Sequence, residues 1–224
     1  MKKGSVCVAE SYLRQSPLAQ RALDTRVADD TSAAGLVLSE RRFLAQINLC
    51  GRIDSAAVKA AVGVELPTKP NTVTEGNNIA ALWLGPAEWL LVGPSDAEKA
   101  IYDALVEGLD GKSAGIVDVT EGRTVIRVAG PMARDVLSMG CPLDLHPRVF
   151  GAGRCAQSFI VRSTVILHQV DDAPVYDIYV ERSQSDYLFH WFETSGAPYG
   201  VAIAEEPATN AWRRPPRRKK DDEA

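Results

Sequence analysis

The chain has 224 residues, of which 46% are hydrophobic and 24% charged, enough to bury a substantial core in one large domain or two small ones. A net charge of −4 gives no electrostatic basis for nucleic-acid binding, and the longest apolar runs, at 79–84 and 89–92, are strand-length and far short of a bilayer span. Two lysines open the N-terminus, but no apolar stretch of useful length follows, so no secretory signal is expected and the reducing cytoplasm is the default compartment.

In chain order, residues 1–35 read as an N-terminal extension. Strands are expected at 36–40 and 43–49, the second ending at Gly51. Asp54 then caps a short helix that carries Ala57, Val58, Ala61 and Val62 on one face and stops at Gly63. The stretch LPTKPNTVTEGNN reads as turns. A hairpin follows, IAALWLG and WLLVG around the turn PAE. Ser95 and Glu98 have the spacing of a capping box opening a helix that buries Ala97, Ile101, Ala104, Leu105 and Leu109.

The same order then repeats. Strands are expected at 116–121 and 123–129, with Thr124, Ile126 and Val128 alternating against Arg123, Val125 and Arg127. Pro131 precedes a helix carrying Met132, Val136, Leu137 and Met139, which Gly140 ends. A second hairpin, TVILHQV and VYDIYVE around DDAP, leads to a last helix opened by Ser183 and Asp186 and burying Tyr187, Leu188, Trp191 and Phe192. INLCG ends a strand in one copy and IRVAG in the other. The fold class read from this is α+β, two similar β-β-α-β-β-α units with internal copies at about 36–110 and 116–195 inside a domain spanning 36–204. From Glu205 the chain holds six basic and five acidic residues and three prolines, the composition of a disordered tail (205–224) in which Trp212 is the one large apolar group; its run RRPPRRKK suits an acidic partner.

Groups that carry chemistry are sparse. Cys7, Cys50, Cys141 and Cys155 are too few and scattered for a disulfide framework and read as small buried hydrophobes. Cys141, His146, Cys155 and His168 are separated by five, nine and thirteen residues, unlike the short paired spacings of zinc sites. Cys141 follows the C-terminal end of a helix, where the macrodipole opposes a thiolate, which disfavours a nucleophile. Arg123, Arg127 and Arg134 suit either an anion surface or pairing with Asp118, Glu121 and Asp135. Trp83 and Trp89 flank a tight turn and read as packing rather than as a platform for a flat ligand. No dinucleotide fingerprint, phosphate loop or nucleophile elbow is present. No catalytic, cofactor-binding or metal-ligating residue is therefore assigned.

Several segments together resemble the gamma subunits of heterotetrameric sarcosine oxidases: LGPAEWLLV (84–92), VDVTEGRTVIRVAGPMARDVLSMGCPLDLHP (117–147), CAQ (155–157), LHQVDDAPVYDIYVERS (167–183) and YLFHWFE (187–193), with SPLA (16–19) upstream. The likeness covers roughly 36–195. It implies a fold like that of the folate-binding aminomethyltransferases and a non-catalytic role beside alpha, beta and delta subunits. Those partners are expected to carry FAD, FMN, NAD, tetrahydrofolate and zinc. The implied reaction demethylates sarcosine to glycine, passing the methyl carbon to tetrahydrofolate and reducing oxygen to hydrogen peroxide. Two alternatives stay open: a subunit of the related N-methylglutamate dehydrogenases, and a free-standing aminomethyltransferase-like protein that binds folate itself.

Overall fold

The structure, a computed structural model, describes residues 14–110 and 114–205. Cys7, the run RRPPRRKK and Trp212 lie outside the described residues. Eleven strands among them form two sheets. The first unit contributes β1 (Leu36–Arg41), β2 (Leu44–Gly51), α1 (Ser55–Val62), β3 (Val73–Gly76), β4 (Ile79–Gly85), β5 (Glu88–Ser95) and α2 (Glu98–Gly108). The second contributes β6 (Ala114–Asp118), β7 (Arg123–Ala129), α3 (Ala133–Ser138), β8 (Arg154–Ile160), β9 (Ser163–Asp171), β10 (Val175–Glu181) and α4 (Arg182–Gly196), and β11 (Val201–Ile203) follows.

The first strand of each unit crosses to the other unit's sheet. One sheet has the order β3-β4-β5-β2-β6 and the other β8-β9-β10-β7-β1, with β11 added in parallel beyond β1. Strand for strand the two orders match. The sequence echo INLCG/IRVAG has a physical cause: Gly51 and Gly130 both sit at positive φ (117° and 106°), and a Cβ at Gly130 would come within 2.6 Å of the Gly35 carbonyl oxygen.

The molecule is layered helix–sheet–sheet–helix. Helices α1 and α2 cover one sheet through Val58, Val62, Ile101, Leu105 and Leu109 against Ile47, Leu49 and Leu91. Helices α3 and α4 cover the other through Val136, Leu137, Leu188, Phe189 and Phe192 against Leu38, Ile126, Val128 and Ile178. The inner faces meet through Leu44, Leu82, Leu90 and Val92 on one side and Val125, Cys155, Ile166 and Tyr179 on the other.

Asp54 caps α1 as expected, accepting from the Ala56 N–H at 3.0 Å, and Gly63 ends it in the left-handed region. Several expectations need correcting. Each unit has three strands after its first helix: β3 lies in the stretch expected to be turns, and β8 lies around CAQ, where no strand is expected; both are sheet edges with weak apolar alternation. The strand expected at 116–121 is β6, followed by a 3-10 turn at Thr120–Gly122. Neither capping box forms. The Ser95 hydroxyl donates to the Arg42 carbonyl (3.0 Å) from within β5, and Ser183 lies inside α4 while Asp186 accepts from the Arg21 guanidinium (2.6 Å). Phe189 replaces Tyr187 in the core, and Met139 faces solvent. Residues 14–35 bind both units. Leu18 and Leu23 enter the α3/α4 core, Arg14 pairs with Asp96, Glu98 and Glu121, and Arg21 pairs with Asp186 and Glu193. Among the described residues no helix is long and apolar enough to cross a membrane.

Candidate functional site

A buried polar group lies on the inner face of the six-stranded sheet. Strand register lines up Ser39, Arg127, Asp177, His168 and Cys155 as successive cross-strand neighbours on β1, β7, β10, β9 and β8. Because side chains alternate along each strand, this row points toward the opposing sheet. All five residues are buried.

Asp177 anchors the row. Arg127 grips its carboxylate with two hydrogen bonds, Nε to Oδ1 at 2.7 Å and Nη2 to Oδ2 at 3.0 Å, and Arg41 Nη1 donates to Oδ2 at 2.7 Å. Burial pushes the Asp177 carboxyl up, but the two guanidiniums outweigh it and hold the group well below the usual carboxylate range. Its neighbour His168 responds oppositely. Burial lowers it to about 4; Asp177 opposes that shift, and Arg127 and Arg41 add to it, so the imidazole is neutral near pH 7. Burial pushes the Cys155 thiol up to about 12, against weaker lowering by the Trp83 backbone and Arg154. Its Sγ donates to the Thr72 and Trp83 carbonyls, both at 3.4 Å. A thiol at that pKa is no nucleophile at neutral pH. Tyr179, in the adjacent row, is likewise pushed far up by burial.

This arrangement sets both guanidiniums on the one carboxylate, and all five residues of the row are buried. A crevice lined by Glu40, Arg42, Arg123, Thr124 and Arg182 is about 10 Å³, room for one water. Glu40 there accepts from Ser16 (2.5 Å) and Thr124 (2.7 Å). A depression of about 480 Å³ between α1 and α2 is lined by alanines, Glu107 and Gly108 and holds no convergent polar groups.

The residues singled out from sequence do not come together as one site. Cys155 and His168 are cross-strand partners, whereas Cys141 packs near Ser158 (3.8 Å) and His146 is exposed, accepting at Nδ1 from the Arg148 N–H. Among the described residues no group of His, Cys, Asp and Glu is placed to hold a metal. Arg127 pairs with Asp177 rather than with Asp118, Glu121 or Asp135, Arg134 interacts with the Tyr176 hydroxyl, and Arg123 lines the crevice, so the three form no common anion surface. Trp83 and Trp89 are cross-strand partners in the α1/α2 core, and Trp89 Nε1 donates to the Pro67 carbonyl at 2.9 Å. Sequence reasoning missed Asp177 and Arg41. The available cue was an aspartate between apolar residues in VYDIYVE, a position that burial forces to find a cation.

Comparison with known proteins decides the family. The model of the sarcosine oxidase gamma subunit family matches residues 50–198. The chain belongs to this family. The sarcosine oxidase subunit gamma of Corynebacterium sp. (strain U-96) is 30% identical over 199 residues, covering 87% of this chain and 96% of that protein. The subunit gamma of Arthrobacter sp is 31% identical, covering 82% of this chain and 90% of its own length. Among solved structures, a chain of the heterotetrameric sarcosine oxidase from Corynebacterium sp. U-96 in complex with pyrrole 2-carboxylate superposes with a TM-score of 0.74 at 30% identity, over 88% of this chain and all of that one. The glycine cleavage system aminomethyltransferase T of Bartonella henselae superposes with a TM-score of 0.62 at 12% identity, over 86% of this chain and 59% of that one. This second likeness establishes the shared α+β fold and nothing about folate.

Proposed function

We propose that this protein is the gamma subunit of a heterotetrameric sarcosine oxidase, and that it works as a structural partner to the subunits that carry the chemistry. The single observation that carries this reading is end-to-end likeness to a gamma chain: the superposition takes in all of the corresponding chain of a heterotetrameric sarcosine oxidase at 30% identity. The character of the polar row supports it. Asp177, Arg41 and Arg127 saturate one another, His168 is held neutral and the Cys155 thiol is held protonated, all beneath two covering layers. Such groups are poor acids, bases and nucleophiles at neutral pH.

On this proposal alpha, beta and delta subunits are the partners, and FAD, FMN, NAD, tetrahydrofolate and zinc reside on them. The complex oxidises sarcosine to glycine, hands the methyl carbon to tetrahydrofolate and reduces oxygen to hydrogen peroxide. The free thiols of Cys50, Cys141 and Cys155 suit assembly in the cytoplasm. The internal division into copies 36–110 and 116–195 is proposed as a duplication, on the strength of the matching strand orders. The test is co-expression of this chain with alpha, beta and delta subunits of a heterotetrameric sarcosine oxidase. The expected result is a single yellow complex, with sarcosine-dependent peroxide release, that retains this chain through affinity and gel-filtration steps. Complete release of the chain from an intact, active flavoprotein contradicts the assignment. Saturable tetrahydrofolate binding by the isolated chain would instead favour a folate-binding protein in its own right.

A further inference from the structure

The two matched sheets end differently. In the six-stranded sheet, β1 is covered by β11, which runs parallel to it; the Leu36 N–H donates to the Gly200 carbonyl (3.0 Å) and the Ala204 N–H to the Leu38 carbonyl (2.9 Å). In the five-stranded sheet, the strand at the corresponding place is β6, and it pairs only with β2 among the described residues. Its main-chain orientation follows from register. The Val119 N–H donates to the Gln46 carbonyl (2.9 Å), and Val117 and Gly115, two and four residues back, lie opposite Asn48 and Cys50. Alternation then aims the N–H and C=O of Val117 and Gly115 at β2 and those of Ile116 and Asp118 outward.

The equivalence is close. Ile116 opposes Leu49 as Leu38 opposes Val128, so the Ile116 carbonyl stands where the Leu38 carbonyl accepts from the added strand. Val117 opposes Asn48 as Ser39 opposes Arg127. Yet Ser39 is 3% exposed and Val117 is 51% exposed. The strand AGIVD carries no lysine or proline to block pairing, the usual protection of a free edge. What fits there is set by the fold's own precedent at β11: an extended segment in parallel register, with an apolar side chain to cover Val117.

We infer that the outer edge of β6 is the docking site for an extended strand of a partner subunit, added parallel to β6 by main-chain hydrogen bonds. This deepens the subunit reading and rests on it. The test is residue-resolved amide exchange on the co-purified complex and on the isolated chain. In the complex the Ile116 and Asp118 amides slow by about tenfold or more, while the Gly115 and Val117 amides, already bonded to β2, change little. Val117→Lys weakens the complex and reverses that protection, and Val106→Lys, an exposed site on α2, does neither. A complex that forms with Ile116 and Asp118 exchanging as in the free chain overturns this inference and leaves the subunit reading standing. Slow exchange at those two amides in the isolated chain, as monomer or self-associated dimer, overturns it as well. Failure of any complex to form removes both.

Discussion

Two equivalent rows, one in each sheet, solve the same packing problem with opposite chemistry. The row Ser39, Arg127, Asp177, His168, Cys155 corresponds, through register, to Val117, Asn48, Leu90, Leu82, Val73. Both rows lie on the faces that the sheets turn toward each other, with Val117, at the free edge, 51% exposed. The second is apolar but for Asn48, whose Nδ2 donates to Glu88 Oε1 at 3.0 Å. The first, with Arg41 beside it, buries two guanidiniums, a carboxylate and an imidazole, and it holds together because both guanidiniums hydrogen-bond the one carboxylate. One backbone arrangement therefore accepts either solution, and the ionic version is the fragile one.

The largest expected effect comes from breaking the ionic row. Asp177→Ala strands two buried arginines and lowers unfolding free energy by about 3–5 kcal/mol in denaturant titrations. Converting the row to its partner's chemistry, with Arg41→Met, Arg127→Met and Asp177→Leu together, returns stability to within about 2 kcal/mol of the parent or above it. A triple variant as unstable as Asp177→Ala would show that the ions contribute more than mutual compensation. In the apolar row, Leu90→Ala leaves a cavity and costs about 3 kcal/mol; a loss below about 1 kcal/mol would mean that the sheets close over the gap.

Acid separates the rows next. Unfolded, His168 takes up a proton near pH 6.5; folded, it resists until about pH 4. Its contribution is full above pH 6.5 and is lost as the pH falls toward 4, which amounts to about 2 kcal/mol between pH 6.5 and 5. His168→Leu, the side chain of its counterpart Leu82, removes that share of the acid slope in denaturation midpoints. An unchanged slope would place the acid sensitivity elsewhere.

The smallest effect lies in the two matching hairpins at the sheet edges. The β3–β4 turn uses Asn77 and Asn78 at φ 49° and 59°, residues that tolerate the left-handed region, whereas the β8–β9 turn places Val161 at φ 55°. Val161→Asn is expected to raise stability by about 1 kcal/mol in thermal or denaturant unfolding, and a loss would show that packing of Val161 beside Gly140 outweighs its strain.

How much of this was legible in the sequence follows the same divide. Apolar periodicity located α1, α2, α4 and both central hairpins, and the paired INLCG and IRVAG marked the repeat, because a strand ending in a positive-φ glycine needs glycine both times. Strands β3, β8 and β11 were not legible. Edge strands owe their conformation to a neighbour's hydrogen bonds rather than to their own alternation, and β11 has three residues. The exchange of β1 and β6 between sheets is a long-range pairing that no local pattern encodes. The capping boxes misled because Ser95 and Asp186 had better partners in Arg42 and Arg21, far away in sequence. The ionic row was visible only as isolated charges in strands, since pairing Asp177 with Arg127 and Arg41 requires the register of three strands.

A gamma subunit is one part of a larger oxidase. Native mass spectrometry of the material purified from its source through a tag on this chain tests that most directly. The predicted result is a stoichiometric assembly of this 24.2 kDa chain with three unlike polypeptides, at least one bearing flavin. A species at 24.2 kDa, or a homo-oligomer of this chain alone, would contradict it.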